Sequence, residues 1–597
     1  MSNAYATEVR EAAGERPILS PPSDRRIAGL LAGMLMWLVV LGLILFLTGC
    51  EDASKETVER AGATQHADTA SPQADSARID QLHKRALDAE EYAARRRDPS
   101  SVRPTPTQGS VALPPPLPAQ LTRDKFPERA ANGIVDVAAQ PVSTFSLDVD
   151  TASYAVVRRT LMSGRLPPIA AVRVEEMVNY FPYAYPAPSD RTDPFAITTT
   201  LVPSPWAVEN QLLHIAVRGF DIPRAERPRA NVVLLIDVSG SMAPEDRLPL
   251  LQKGFRLFVE QLAPEDRVAI VTYAGSARTA LDSTPGRDKQ ALLAAIDGLV
   301  ASGSTAGGEG LQRAYALAAQ HFDKAAVNRV ILATDGDFNV GITDPAELER
   351  FIVAQRKQGI YLSIFGVGTG NLNDALMQRL AQAGNGNAAY IDSLLEAQKA
   401  LGEQIASTMF PIADDVKVQV EFNPAHVAAY RLVGYETRML RREDFNNDRV
   451  DAGDVGAGHT VTAIYEITPV GARGRVDPLR YQPAQAPAPA VTPSKEIAFV
   501  KLRYKLPGET QSRLMTSAVR PAALGATLAN APEEQRFAIA VAAFAQRLRG
   551  DEAVTGFDLA RIIELADASR GADREGYRAE FVRLMKLTAS MNQLSQR

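Results

Sequence analysis

The residues most able to do chemistry in this sequence are three oxygen-bearing side chains in one short loop. Asp237, Ser239 and Ser241 directly follow a run of apolar residues in the segment Asn231 to Met242, NVVLLIDVSGSM. Carboxylate and hydroxyl oxygens are hard ligands, which suit Mg²⁺ or Mn²⁺ rather than zinc or copper. The loop therefore predicts a site for a hard divalent cation.

The apolar run before this loop predicts a strand that is buried on both faces, as in parallel sheets. From Asn231 to Thr408, strand and helix patterns alternate with short connections. This alternation predicts an α/β fold, with a doubly wound, mostly parallel, Rossmann-like sheet and helices on both faces. The predicted strands are 231–237, 267–274, 279–283, 329–334, 360–367 and 388–391, and the predicted helices are 248–262, 288–300, 307–322, 345–358, 373–383 and 394–408.

Two more loops of this region carry polar side chains at matching places. Ser302-Gly-Ser-Thr305 lies at the start of a predicted helix, and Thr334-Asp335-Gly336 ends a predicted buried strand. In open α/β sheets, functional groups lie just past the carboxyl ends of the strands. We therefore expect all three loops to lie at one edge of the sheet.

Taken together, Asp237-x-Ser239-x-Ser241, then Thr305, then Asp335 resembles the metal-ion-dependent adhesion site of von Willebrand factor type A domains. The resemblance implies that Ser239, Ser241 and Thr305 ligate a metal directly, while Asp237 and Asp335 act through water or change with state. Mg²⁺, which takes six oxygens, is the implied cofactor, with Mn²⁺ or Ca²⁺ as substitutes. Hydroxyl ligands leave a coordination position open, and a Glu or Asp carboxylate of a partner protein is expected to fill it.

The flanking regions extend the resemblance to a bacterial lipoprotein-like family. The segments 145–154 and 173–183 are similar to the part that precedes the A domain in that family, and the region after Met409 resembles its C-terminal domain. There the apolar period changes to two, which predicts an antiparallel sheet over 415–422, 461–467 and 497–504, followed by helices. The predicted domains are a signal or anchor at 1–50, a stalk-like or disordered linker at 51–140, an N-terminal α+β segment at 141–228, the A domain at 229–410, and a β-rich domain with terminal helices at 411–597.

The N-terminus predicts a membrane tether. Arg25-Arg26 precedes an apolar run from Ile27 to Thr48, and the run leads into Leu47-Thr-Gly-Cys50, which resembles a bacterial lipobox with Cys50 as the lipidated residue. The alternative is a retained transmembrane helix, because the run is long enough to span a bilayer. Either reading predicts a membrane-anchored protein of the cell envelope, on the periplasmic side or at the cell surface.

Composition restricts the function further. The chain has 597 residues, a net charge of -5, six His and one Cys. Such a length predicts several domains, and the charge predicts no nucleic-acid partner. One Cys excludes a disulfide within the chain, and the oligomeric state is left open.

The sequence supports an enzymatic function less well than a function as a binding module. Asp148-Val-Asp150 is similar to a phosphatase nucleophile loop, but an acid that caps the next helix is favoured. The segment 444–448 does not match a calcium loop and predicts a polar hairpin instead. The three site loops hold no His, and the sequence has no phosphate-binding loop or nucleophile elbow. We expect a metal-dependent protein-binding module and no enzyme; a Mg²⁺-dependent hydrolase or phosphatase, and a partner subunit of an ATP-driven remodelling machine, remain as alternatives.

Overall fold

The helices and strands are given by a computed structural model that describes residues 124–147, 150–189, 192–304, 309–336, 344–404, 409–472, 495–522 and 526–595. The strands are β1 (Val135–Asp136), β2 (Val142–Ser146), β3 (Phe195–Pro203), β4 (Gln211–Gly219), β5 (Ala230–Asp237), β6 (Arg267–Tyr273), β7 (Ala277–Pro285), β8 (Val327–Thr334), β9 (Ile360–Val367), β10 (Ala388–Ile391), β11 (Pro411–Phe422), β12 (Val427–Val433), β13 (Gly453–Gly456), β14 (Thr460–Pro469), β15 (Ala498–Lys505) and β16 (Arg513–Val519). The α-helices are α1 (Ala152–Met162), α2 (Val174–Asn179), α3 (Leu248–Gln261), α4 (Lys289–Asp297), α5 (Gly310–Gln320), α6 (Pro345–Arg356), α7 (Asp374–Ala383), α8 (Leu394–Gln398), α9 (Glu533–Leu548), α10 (Leu559–Asp567) and α11 (Tyr577–Ser595).

The central region forms the predicted sheet. Its strand order is β10-β9-β8-β5-β6-β7, and every pair is parallel except β6 with β7. In register, Leu234 of β5 lies between Ile270 of β6 and Ile331 of β8. The prediction of a mostly parallel sheet is confirmed, and the parallel neighbours β5 and β8 end at the same edge.

Strand β5 is an interior strand of this sheet, between β8 and β6, and both of its faces are apolar. All of its residues are buried. Val232, Leu234 and Ile236 belong to one apolar cluster with side chains of α3, and Val233 and Leu235 belong to another with side chains of α5. Helices therefore cover the sheet on both sides, which accounts for the uninterrupted apolar run in the sequence.

The regions before and after the central sheet share two further sheets. One has the order β1-β12-β14-β4-β3, and in the other β13-β11-β15-β16 is joined by β2, which pairs with β11. All of these pairs are antiparallel. Strands on either side of the central domain thus pair with each other, so the central domain is inserted between them.

Helices α1 and α2 pack with the C-terminal helices around an aromatic cluster. Tyr154 stacks on Tyr180 with ring centroids 3.7 Å apart, and Phe181 meets Phe537 and Phe581 edge-on. All five rings are buried. The N-terminal helices and the C-terminal helices therefore share one core.

Two local predictions differ from the structure. The helix predicted from Leu394 becomes a π-helical turn at Lys399–Glu403, where the amino group of Lys399 lies 3.2 Å from the centroid of the Tyr180 ring. Single π-helical turns of this kind are rare interruptions of α-helices. The predicted hairpin around 444–448 begins instead as a 3₁₀ turn at Arg442–Asn446, because the Asp444 carboxylate accepts a hydrogen bond from the Arg441 N–H at its start.

No helix within the described ranges is long and apolar enough to cross a membrane. The predicted tether, including Ile27 to Thr48 and Cys50, lies outside those ranges, as does the predicted linker up to residue 123. The linker was predicted to continue to residue 140, and that part of the prediction is wrong: β1 pairs with β12, and Asp124 accepts hydrogen bonds from the loop after β9, so residues 124–140 pack on the folded domains.

Candidate functional site

Asp237 is the buried end of β5 and the first element of the site. Its side chain is inaccessible to solvent. The Ser239 N–H donates to its Oδ1 over 2.9 Å, and the Thr334 hydroxyl, at the end of β8, donates to its Oδ2 over 3.5 Å. The carboxylate is thus fixed between the ends of two parallel strands, as the sequence predicted for this sheet edge.

The two serines converge in the turn that follows. The Oγ atoms of Ser239 and Ser241 lie 3.0 Å apart, and Ser239 is buried. Two hydroxyls this close can serve one cation together, since hard metal ions take hydroxyl oxygens as ligands.

The second predicted loop lies against this turn. The Gly240 N–H donates to the Gly303 carbonyl over 3.0 Å, and the Ser302 N–H donates to the Val238 carbonyl over 2.7 Å. These bonds bring the residues before Thr305 next to the serines. Thr305 itself lies outside the described residues, so its part in the site stays a prediction.

Asp335 supplies the second carboxylate at this edge. Its side chain is buried and forms an ion pair with the guanidinium of Arg247. The next residue, Gly336, has φ +101°, and a Cβ there would overlap the Asn371 carbonyl. Only glycine fits this position without strain, so the loop after Val367 is held tightly against Asp335.

That neighbouring loop was not predicted as part of the site. Arg247 also donates to the Thr369 carbonyl, and the N–H groups of Gly370 and Leu372 donate to the Asp124 carboxylate. The glycines around Thr369, after a predicted strand, were the available signal for a functional loop. Nothing in the sequence around Arg247 indicated its role, because its partners are distant in the chain.

The described donors fit a hard cation. Two carboxylates and two hydroxyls meet at one sheet edge, and all are oxygen ligands. Elsewhere, the described residues contain no group of three or more His, Cys, Asp or Glu side chains that could hold a metal. A metal here would depend on hydroxyl ligands. Of the predicted set Asp237, Ser239, Ser241, Thr305 and Asp335, the structure brings all but Thr305, which it does not describe, to one edge, and metal binding by them stays a prediction.

Two histidines, His214 of a flanking sheet and His321 of the central domain, lie away from this edge. His214 is buried in β4 beside the Tyr185 hydroxyl, and burial lowers its pKa to about 3. His321 follows α5, and its carbonyl accepts from Asn231 at the opposite end of the sheet. Neither is placed to act as a general base at Asp237.

The acidic pair before α1 has a structural partner. Asp150 is buried, forms an ion pair with Arg438 at 2.7 Å and accepts from the Ala388 N–H over 2.9 Å. The predicted capping of α1 by an acid of this pair is wrong, because the residue at the cap position is Thr151 and the Ser153 N–H of the first turn donates instead to the Glu176 carboxylate over 2.9 Å. Asp150 instead ties the flanking strands to β10; Asp148 lies outside the described residues.

The pKa of Asp237 is raised to about 6, chiefly by burial and with a contribution from the charge of Asp335, and against the hydrogen bonds from Ser239, which lower it. An unfolded Asp titrates near pH ~3.9. The stability that this group contributes is therefore fully present below that value and is lost as the pH rises through about 6.

We expect Asp237→Asn to stabilise the metal-free protein relative to the wild type, increasingly from pH 4 to pH 7, by about 1–3 kcal/mol at the upper end. Denaturant unfolding in chelator at several pH values measures this. Asp297→Asn is the matched control, since its carboxylate is half-exposed in a surface pair with Arg256. If the free energy of unfolding changes with pH in the same way in the wild type and in Asp237→Asn, the charged Asp237 carboxylate does not destabilise the folded protein.

Three family models match the chain in succession. The von Willebrand factor model matches residues 120–214, the von Willebrand factor type A domain matches 231–404, and the model described as "Uncharacterized protein YfbK, C-terminal" matches 407–591. The central match covers the six-stranded sheet and all three loops of the site.

Individual proteins are similar to the chain over different shares of its length. The chain is 48% identical to the protein named "Uncharacterized protein YfbK" of Escherichia coli (strain K12) over 472 residues, which are 78% of this chain and 81% of that protein. It is 29% identical to a UPF0353 protein of Mycolicibacterium vanbaalenii over 210 residues, 30% of this chain and 62% of that one. A solved structure described as von Willebrand factor type A from Catenulispora acidiphila is 19% identical and covers 64% of this chain and 87% of that chain, with a TM-score of 0.36.

Proposed function

Because the chain belongs to the family of von Willebrand factor type A domain proteins that carry the YfbK C-terminal domain, we propose that it is a metal-dependent protein-binding module of the cell envelope. The A domain supports a protein-interaction or adhesion role. The metal dependence and the membrane tether are the parts that we add.

The observation that carries the proposal is the convergence of oxygen donors at one sheet edge. The Ser239 and Ser241 hydroxyls lie 3.0 Å apart, with the buried carboxylates of Asp237 and Asp335 at the ends of β5 and β8. Ser239, Ser241 and the undescribed Thr305 would hold Mg²⁺, or Mn²⁺ or Ca²⁺ in its place, with the two aspartates beside it. The bound cation would supply a positive centre for a carboxylate.

The chain's own residues account for the preference for binding over catalysis. Both carboxylate oxygens of Asp237 already accept hydrogen bonds, from the Ser239 N–H and the Thr334 hydroxyl, and the side chain is inaccessible to solvent, so it is poorly placed to take a proton from a substrate. Ser241 is only partly buried, which leaves an approach from solvent. We propose that an Asp or Glu side chain of a partner protein docks there, and that the chain is not an enzyme.

The tether completes the proposal. The apolar run before Cys50 would place the folded domains outside the cytoplasm, through lipidation of Cys50 or as a retained helix. A partner in the envelope is then the one within reach.

Capture from envelope extract tests the proposal. We expect the immobilised full chain to retain partner proteins in Mg²⁺ and to release them in chelator, and we expect Ser239→Ala/Ser241→Ala to retain none, because both hydroxyl ligands are lost. Ser163→Ala/Ser590→Ala, with two exposed serines at other helices, is the matched control and should behave as the wild type. Equal capture by the site variant, or by the wild type in chelator, would contradict the proposal.

A phosphatase assay with Mg²⁺ and Mn²⁺ separates the catalytic alternative. Binding alone predicts no turnover above the rate without protein. Turnover that Asp237→Ala removes would favour a hydrolase instead.

A further inference from the structure

Arg247 is a positive charge built into the edge of the proposed metal site. One nitrogen of its guanidinium, Nη1, donates to the Asp335 carboxylate and, over 2.8 Å, to the Ser241 carbonyl. The other, Nη2, donates to the Thr369 carbonyl over 2.9 Å. One side chain thus contacts the loop of the serines, the carboxylate after β8, and the loop after β9.

The loop after β9 leaves space for the Arg247 side chain. Arg247 is 12% exposed, and Asp335 is fully covered. Gly368 has φ +72°, and a Cβ at that position would overlap the Arg247 side chain. A larger residue at 368 would push the guanidinium off Asp335, so the glycine leaves the space that the arginine fills.

The charges at the site explain what this cation does. Asp237 and Asp335 are buried together at one sheet edge, and the charge of Asp335 is felt at Asp237. Buried carboxylates need a cation beside them, because neighbouring like charges in a low dielectric repel strongly. Arg247 supplies one positive charge to this pair directly from the protein.

We propose that Arg247 is an internal cation that pairs with Asp335 in the metal-free protein and opposes metal binding at the same edge. The inference rests on the proposed function, since it concerns the metal site of that proposal. A guanidinium and a divalent cation both draw on the Asp335 oxygens, and they repel each other. Arg247 therefore sets the metal concentration at which the site fills, and with it the concentration at which a partner can dock.

Since Arg247 pairs with a buried carboxylate, a different role is physically possible. A side chain beside a metal site can position a ligand and strengthen metal binding, and its loss then weakens the affinity by about 10–100-fold. Opposition and positioning thus predict opposite signs for the same substitution.

Calorimetric titration of Mg²⁺ into the full chain in detergent decides between them. We expect Arg247→Met to bind Mg²⁺ about tenfold more tightly than the wild type or better, because one repulsive charge and one competing ion pair are removed. The thermal midpoint should fall in chelator, and the rise caused by Mg²⁺ should exceed that of the wild type. Arg256→Met removes a half-exposed arginine of α3, the helix that begins directly after Arg247; Arg256 is paired with Asp297, and the variant should match the wild type in both measurements.

The titration distinguishes failure of the proposed role of Arg247 from failure of the proposed metal site. Unchanged or weaker Mg²⁺ binding by Arg247→Met, with clear binding by the wild type, overturns the role of Arg247 and leaves the metal site standing. Absence of Mg²⁺ binding in the wild type and in every variant overturns the proposed function itself and, with it, this inference.

Discussion

Asp335→Ala and Asp237→Ala are each expected to abolish Mg²⁺-dependent capture of partner proteins while the chain stays folded. Both carboxylates lie at the end of a strand in the central sheet, beside the serine turn. Loss of a group next to a metal typically lowers metal affinity by about 10–100-fold, and loss of a ligand lowers it at least as much. Capture in Mg²⁺ then falls to the level seen in chelator.

The fold is expected to survive because the apolar residues of β5 and its neighbours hold the central sheet together. Asp335→Ala should lower the thermal midpoint, since it leaves Arg247 without its carboxylate partner. Strand β5 is anchored by Val232 to Ile236 on both faces, and the buried Asp237 has a pKa raised to about 6, so its charged form disfavours the folded state at neutral pH. Circular dichroism and thermal unfolding check this directly. Asp297→Ala is the control for removal of an aspartate from the same domain. Retained capture by both site variants in Mg²⁺ and in chelator would mean that the carboxylates have no part in binding.

Arg158→Met is expected to produce the largest loss of stability in the flanking core, about 3–5 kcal/mol in the free energy of unfolding. Arg158 lies on α1 and is buried. Its guanidinium donates to Asp392 after β10, to Glu396 of α8 over 2.8 Å, and to Glu580 of α11 over 3.1 Å. One side chain thus joins the N-terminal helix, the end of the central domain and the last helix.

The cost arises because three carboxylates lose their shared cation. Burial already raises the pKa of Asp392, and Arg158 opposes that shift. Without Arg158 the carboxylates take up protons more readily, so the variant should recover part of its stability as the pH falls. Denaturant unfolding measures the difference, with Arg256→Met as the exposed-pair control, expected to lose ~0–1 kcal/mol. A loss of about 1 kcal/mol or less in Arg158→Met would show that the network does not hold the three regions together.

Local patterns were sufficient to predict the central fold. The run Val232 to Ile236 has apolar residues on both strand faces, and such a run is typical of a strand that is covered on both sides. In the helices between the strands, apolar residues recur with the helical period. The first site loop was predictable for the same reason, since its position at a strand end follows from the sheet.

The pairing of strands that are distant in the chain could not be predicted from the sequence. The strands β2 and β4 pair with β11 and β14, far along the chain, and a strand's sequence reports its burial but not its partner. The contact of Arg247 with Asp335 could not be predicted either, because it depends on how two loops and the start of a helix fold together. The π-helical turn at Lys399–Glu403 arises in a buried setting, with the Lys399 amino group against Tyr180, which local propensity does not encode.

Calorimetric titration of Mg²⁺ into the wild-type chain and into Ser239→Ala/Ser241→Ala tests the metal site most directly. The proposed site predicts one saturable Mg²⁺ site in the wild type and no detectable binding in the double variant, whose thermal midpoint in chelator remains near that of the wild type. Equal Mg²⁺ binding by both proteins, or no binding by the wild type, would contradict it.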